Sequence, residues 1–460
     1  MQSNFVRFIK TCYFKLVVIP CCLFFIFVFS YASFSKEIPI SYWDEMLWVG
    51  HSYFFDFFIK GDFSNPIWQS EASYDQPKLA EFSFGAWLYP HYFLDKQKSN
   101  EADFDYMKFL ISRGLYLTDE PYADAYRIYH QLHNSETVNL VKTDNGFPDE
   151  YVARYGTNVL KTIHTIYQAR IINFVYMALA VVMMFYIVYI RMGIRWAVIF
   201  SFLYGYNSLL IHTGIKAHSE ALFVLLFNAS LLSLLLYFLS KRKVFYLFCF
   251  SVLAGLCTST KLNGSVLVIS FFIINIFYLL FYDTKKKMIG FFHSFIPVIV
   301  VLNIFILLNP YTYADPVGRI RYEYEKRMET SRYYAQIFPD ASLPSAASRF
   351  TKFFSNFYIS KDTGLYNAIY NMPNIPGYSL IAFVLFLVGI FYEALMTYKR
   401  KKVSFLIIFS FFISFGAMCN YLLLNWPRYY VHMVVFIVLF EGLGLYFFIQ
   451  LLRKGTDALT

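Results

Sequence analysis

The sequence predicts an all-α polytopic membrane protein, and three observations carry that prediction. Of 460 residues, 58% are hydrophobic and only 15% charged, with a mean hydropathy of +0.46, whereas a soluble globule carries about 25% charged residues. Ten apolar stretches are long enough to span, since a helix needs about 20 such residues to cross the hydrocarbon core. Basic residues gather at alternate junctions between those stretches, as they do where Lys and Arg are retained on the cytoplasmic side. A soluble enzyme is excluded, and so is a disordered chain, which would need low hydrophobicity. The net charge of +10 calls for no nucleic acid, because it sits in short connections where the lipid bilayer is the partner.

The spans are expected at about 12–34, 170–190, 196–212, 219–240, 244–260, 265–283, 288–309, 376–398, 403–424 and 429–452. The first has the basic flank of a signal peptide, but its apolar run is longer than an h-region and no small-residue cleavage site follows before Glu37, so it reads as a helix. With the N-terminus inside, the inner junctions hold Arg7, Lys10 and Lys15; Arg191 and Arg195; Lys241, Arg242 and Lys243; Lys285, Lys286 and Lys287; Lys399, Arg400, Lys401 and Lys402; and Arg453 with Lys454. The short outer turns hold chiefly Lys216, Lys261 and Arg428. One helix more or fewer would break the alternation. Each basic cluster reads as a solvated anchor at the headgroups.

The chain then divides into 1–34, a cytoplasmic N-terminus and first helix; 35–168, a first extracytoplasmic segment; 169–309, helices two to seven; 310–375, a second extracytoplasmic segment; and 376–460, three helices and a cytoplasmic C-terminus. Short helices are expected in the outer segments, one starting at Asp119-Glu120-Pro121, where an acidic cap precedes a first-turn proline, and another at Pro148-Asp149-Glu150. The first segment is acidic, with 19 Asp and Glu against 11 Lys and Arg between Lys36 and Lys161. The six cysteines fall in or beside apolar runs, which offers neither a disulfide framework nor a thiolate zinc site. The i, i+3 histidine pair of the first segment, His130 and His133, has Glu136 three residues further on, and metal ligation is not expected there.

The inner connections are too short for an elaborate site and no phosphate-cradling glycine motif is present, so chemistry belongs on the outer face. Just after the first helix, Ser41-Tyr42-Trp43-Asp44-Glu45 sets two carboxylates among interfacial aromatics. Such a pair can supply a general base and a hydroxyl-orienting group, or simply cap a surface helix. Tyr74-Asp75-Gln76-Pro77-Lys78-Leu79 brings a cation that could hold phosphate as a point charge. Lys261, at the outer end of the fifth helix, is an ionisable residue at membrane depth, either functional or snorkelling to the interface. Arg428, in Trp426-Pro427-Arg428-Tyr429, could grip a phosphate bidentately or anchor among the aromatics. Arg319 and Arg321 read as one face of a surface helix with Glu323 and Glu325.

In combination, the Asp44-Glu45 pair, the Tyr74 to Leu79 stretch, His218-Ser219-Glu220-Ala221-Leu222 at the outer start of the fourth helix, and Gly255 to Gly264 between the fifth and sixth resemble one family. It is the integral-membrane glycosyltransferases of the C superfamily (GT-C), in the branch of protein O-mannosyltransferases and lipid A aminoarabinose transferases. The resemblance runs from about 15 to 310. It implies an outward-facing site and transfer of a sugar from a polyprenyl-phosphate donor to an extracytoplasmic acceptor, with inversion. It gives Asp44 as base and Glu45 as neighbour or alternate, Lys78, Lys261 and Arg428 on the donor phosphate, and Tyr74, Asp75, His218 and Glu220 in support. No cofactor is implied, and a divalent metal at Asp44 and Glu45 is compatible with it. The chain departs from the aminoarabinose-transferase pattern where Gln76, not a lysine, precedes the proline, and Glu220 stands where many relatives have Asp. Two rival readings are an O-antigen polymerase or ligase, which would depend on later arginines such as Arg319 and Arg321, and a transporter, disfavoured by the scarcity of mid-helix acids.

Overall fold

The computed structural model describes residues 14–36, 38, 40, 42–74, 76–99, 101–115, 159–282, 287–359 and 378–457. The helix starts expected at Asp119 and Pro148, the pair His130 and His133, and Asp75 lie outside them. The described residues are almost wholly helical, with one isolated bridge between Ser342 and Leu424. Among the described residues nine helices are long and apolar enough to cross a membrane, ten if one bent pair counts as a span. The chain is therefore a multi-pass membrane protein, built from helices because they satisfy every backbone polar group without water.

In order, α1 is Ile19–Ser35, α2 Tyr42–Gly50, α3 Tyr53–Lys60, α4 Glu71–Tyr74, α5 Leu79–Lys98 and α6 Tyr106–Ser112. After them α7 is Val159–Met192, α8 Ile194–Gly205, α9 Ser208–Gly214, α10 Glu220–Leu239, α11 Lys243–Thr260, α12 Val266–Phe281 and α13 Lys287–Leu308. The remainder are α14 Pro316–Ile337, α15 Ala346–Phe354, α16 Tyr378–Tyr398, α17 Lys402–Tyr421 and α18 Val434–Asp457. Helix α7 packs on α1, α8 and α10; α11 on α10 and α13; α12 on α13 and α17; and α16 on α18.

Helix α7 starts eleven residues before the expected span. Its 34 residues reach roughly 51 Å at 1.5 Å per residue, well beyond a hydrocarbon core of about 30 Å. The extra turns, with Ile166 and Ala169, enter a second hydrophobic cluster formed with Trp48, Phe54, Trp68, Phe84, Leu88, Tyr106 and Phe109. The segment between α1 and α7 thus has its own aromatic core, with α7 as its pillar.

The expected span 196–212 is two helices, α8 and α9, bent by 56°. Asn207 makes the break: its side chain accepts from the N–H groups of Leu209 and Leu210, starting α9. The Gly205 carbonyl freed there accepts from the Tyr31 hydroxyl at 2.9 Å. Where α16 crosses α18 the backbones nearly touch. A methyl on Gly389 would run into the Phe440 carbonyl, and one on Gly444 into the Leu385 carbonyl.

Acids within the spans are also more numerous than expected. Glu393 on α16 is fully buried and accepts from Arg191 Nε of α7 at 2.7 Å, and Glu441 on α18 accepts from the Tyr358 hydroxyl at 2.9 Å. Neither shows in a hydropathy average, because one acid among twenty apolar residues barely lowers it.

Candidate active site

The site lies where α1 gives way to α2, α10 begins, α11 ends and the connection into α18 folds back. Asp44 and Glu45 both fall in the first turn of α2, where negative charge suits the helix dipole, yet their environments differ completely. Glu45 is fully buried, and its two oxygens accept from Arg170 Nε and Nη2, each at 2.7 Å. Oε1 also accepts from the Ala217 N–H at 2.7 Å. Arg170 Nη1 donates to the carbonyls of Ser35 and Ile38, both at 3.0 Å. One guanidinium therefore ties the end of α1, α2, α7 and the turn before α10. A turn further along α7, on the same face, the Asn173 amide donates to the carbonyls of Lys216 and His218. Burial alone would raise the Glu45 carboxyl, but these hydrogen bonds and the Arg170 charge hold it below the usual carboxylate range.

Asp44 points the other way. Its side chain is 41% exposed and Oδ2 accepts from Arg428 Nη1 at 2.9 Å. The surrounding protein pushes its carboxyl up, but Arg428 first, then His218 and Lys216, pull it down to about 2. Arg428 lies in the 3-10 helix Pro427–Met433, its guanidinium over the rings of Trp426 and Tyr429. That connection is held by the Leu343 N–H donating to the Leu423 carbonyl, the Asn425 N–H donating to the Ala341 carbonyl, and Arg349 donating to the carbonyls of Cys419 and Asn420.

Beside this pair stands a second. Lys261 Nζ donates to Glu220 Oε1 at 2.5 Å and lies 6.0 Å from the Tyr429 ring centroid. His218 Nδ1 is 3.8 Å from Glu220 Oε2. Its burial lowers the imidazole's affinity for a proton, against the pull of Asp44 and Glu220. Around Glu220, several buried atoms have no hydrogen-bond partner: Glu220 Oε2, His218 Nε2, Ser219 Oγ, Ser259 Oγ and both ring nitrogens of His432. Unpaired buried polar groups are rare in folded proteins, and such a cluster suits a polar ligand.

Of the residues singled out from the sequence, Asp44, Arg428, Lys261, Glu220 and His218 form one connected electrostatic group. Glu45 stands directly behind it, saturated by Arg170. Lys78 does not join. It is fully buried and its ammonium donates to both oxygens of Glu81 at 2.9 Å and to the Ala72 carbonyl at 2.6 Å. Its N–H is taken by Asn309 Oδ1, and its charge sits 4.6 Å from the Phe54 ring centroid. This is a strut that ties the start of α5 to the end of α13. Tyr74 ends α4 just before it, and Asp75 is not among the described residues. Arg321 is 79% exposed and paired with Glu325, as a surface helix face would be, but Glu323 is buried and accepts from the Tyr311 hydroxyl. Sequence reasoning missed Arg170, Asn173 and the site role of Lys216, whose charge acts on Asp44. A lone arginine opening an apolar run was the available signal for the first.

Among the described residues no three His, Cys, Asp or Glu side chains are grouped to hold a metal ion. Fold and site together define an all-α multi-pass membrane protein with a charged cluster at the end of the bundle reached by α1, α11 and α17. Compared with protein-family models, curated proteins and solved structures, the chain matches none.

Proposed function

We propose that the protein is an inverting glycosyltransferase that moves a sugar from a polyprenyl-phosphate donor to an acceptor hydroxyl on the outer face of the membrane. The observation that carries the reading is the contact between Asp44 and Arg428, two groups 384 residues apart in the chain. It puts a carboxylate beside a cation at the end of the bundle where a lipid-linked phosphate would lie. Transfer needs a base for the incoming oxygen and positive charge for the departing phosphate. Asp44 takes the acceptor proton, the acceptor oxygen bonds to the anomeric carbon, and the carbon–oxygen bond to phosphate breaks with its electron pair leaving on the phosphate. Arg428, Lys261 and Lys216 would stabilise that charge. The charged groups are three cations against Asp44 and Glu220, since Glu45 and Arg170 neutralise each other. A carboxyl held at about 2 is a weak base while Arg428 grips it. A donor phosphate competes for the same guanidinium, so donor binding frees Asp44 and restores its basicity.

The test is Asp44→Asn expressed in place of the wild type, with mass spectrometry of envelope glycans and lipid-linked sugars. The expected result is one missing sugar and an accumulating polyprenyl-phosphate sugar at unchanged protein level. A wild-type glycan profile in that variant would end the assignment.

A further inference from the structure

The opposite end of the bundle holds a second convergence of cations, which the proposed reaction does not use. Helices α11 and α17 begin there at Lys243 and Lys402, and the residues before them, Arg242 and Lys401, make no side-chain cap. A helix N-terminus presents unpaired N–H groups and partial positive charge, so cations there are unfavourable. The two lysines nevertheless approach one ring: Lys243 Nζ lies 5.7 Å and Lys402 Nζ 5.3 Å from the centroid of Tyr278, which is 3% exposed. The turn into α17 contains the one described non-glycine residue at positive φ, Arg400 at 59°. Its N–H donates to the Thr397 carbonyl and that of Lys401 to the Met396 carbonyl, closing α16. Glycine would adopt this conformation without the steric cost that a Cβ brings, yet the position carries a guanidinium. In the first turn of α17 the buried Ser404 hydroxyl has no hydrogen-bond partner, and neither does the buried Thr397 Oγ1 in the last turn of α16.

An anion with several acceptor oxygens would meet the two uncapped helix N-termini, the Arg400 guanidinium and the unpartnered Ser404 and Thr397 hydroxyls together. We propose that Lys243, Lys402 and Arg400 bind the phosphodiester of an anionic phospholipid. The apolar surface beside the cluster favours a lipid over free phosphate, because Val244, Phe245 and Phe248 are 70%, 58% and 61% exposed on the turns of α11 that acyl chains would cover. The site is independent of the Asp44 chemistry and stands or falls separately from it.

The test uses the full chain purified in detergent, with native mass spectrometry and thermal unfolding after adding phosphatidylglycerol, phosphatidylcholine or inorganic phosphate. Phosphatidylglycerol is expected to be retained and to raise the unfolding midpoint, the other two to do neither. The double variant Lys243→Gln with Lys402→Gln should lose at least tenfold in phosphatidylglycerol retention. Arg400→Gly should lose retention while its lipid-free midpoint stays level or rises, which separates binding from folding should the double variant prove unstable. Equal retention of the two lipids by the wild type would overturn the proposal, as would a phosphate shift equal to that of phosphatidylglycerol or undiminished retention in Arg400→Gly.

Discussion

Replacing Arg170 by Met removes the guanidinium that ties Glu45 to α7, and the structure sets the size of the effect. Both side chains are fully buried, joined by two hydrogen bonds of 2.7 Å. Without the arginine, Glu45 keeps only the Ala217 N–H among these bonds, and the Ser35 and Ile38 carbonyls lose the guanidinium. Breaking one side of a buried pair costs about 3–5 kcal/mol because the remaining charge is stranded. At about 1.4 kcal/mol per tenfold, that is on the order of a hundredfold or more in the folded-to-unfolded ratio. Adding Glu45→Gln to Arg170→Met removes the stranded charge and leaves mainly backbone groups unpaired, at about 1 kcal/mol each, so the double variant should be more stable than either single one. The assay is the inactivation half-life and unfolding midpoint in detergent, with all four forms of the cycle measured side by side. A single variant as durable as the wild type, or a double variant carrying the sum of the two losses, would refute the clamp.

Two further outcomes follow from the same geometry. Arg428→Gln removes the strongest charge holding Asp44 at about 2, against an ordinary value of 3.8. The wild-type carboxylate contributes stability above its ordinary value and loses it as pH falls toward 2, and the variant should lose this advantage. The acid limb of kcat/KM for the proposed sugar transfer, which reports the donor-free protein, should accordingly move up by about one pH unit, since a unit is about 1.4 kcal/mol of differential interaction, and an unmoved limb would disconnect Arg428 from Asp44. Gly389→Ala should separate α16 from α18, because the new methyl meets backbone rather than a flexible side chain. A loss of about 1–3 kcal/mol is expected for such overpacking, read as a lowered unfolding midpoint, and an unchanged midpoint would show that the two helices can part freely.

The membrane architecture was legible because hydropathy sums over twenty residues and tolerates local exceptions, which is also why the sum hid what lay inside it. Arg170 opens an apolar run and reads as its boundary. Only the extension of α7 toward its N-terminus, with Ile166 and Ala169 in the second core, makes that position an interior one. Asn207 interrupts a run of the right length, and its capping power outweighs the apolar residues on both sides. Asp44 was readable as one of a pair, but nothing in two adjacent letters says which carboxylate is spoken for. On a helix, successive residues point about 100° apart, so one of the two faces α7 and the other the connection into α18.

Lys78 and Lys216 show the same limit for cations, and the physical difference between them explains why one is a strut and the other borders the site. Lys78 has Glu81 three residues on at the start of a helix, the spacing at which side chains meet on one face, and both are removed from water. Desolvation makes such a pair costly to open, so an incoming phosphate could take Lys78 only by stranding Glu81. Lys216 has no acid within three residues in sequence; the nearest is Glu220, which Lys261 already holds. Its charge is opposed instead by Asp44 and Glu45 through space, and burial, with Arg170 and Arg428 nearby, lowers its proton affinity further than those carboxylates raise it. A cation whose partners are shared is one that an added anion can recruit without leaving a buried charge alone. By that criterion Lys216 and Arg428 are available to a phosphate and Lys78 is not, while Lys261 can turn to one only as another group takes up the buried Glu220.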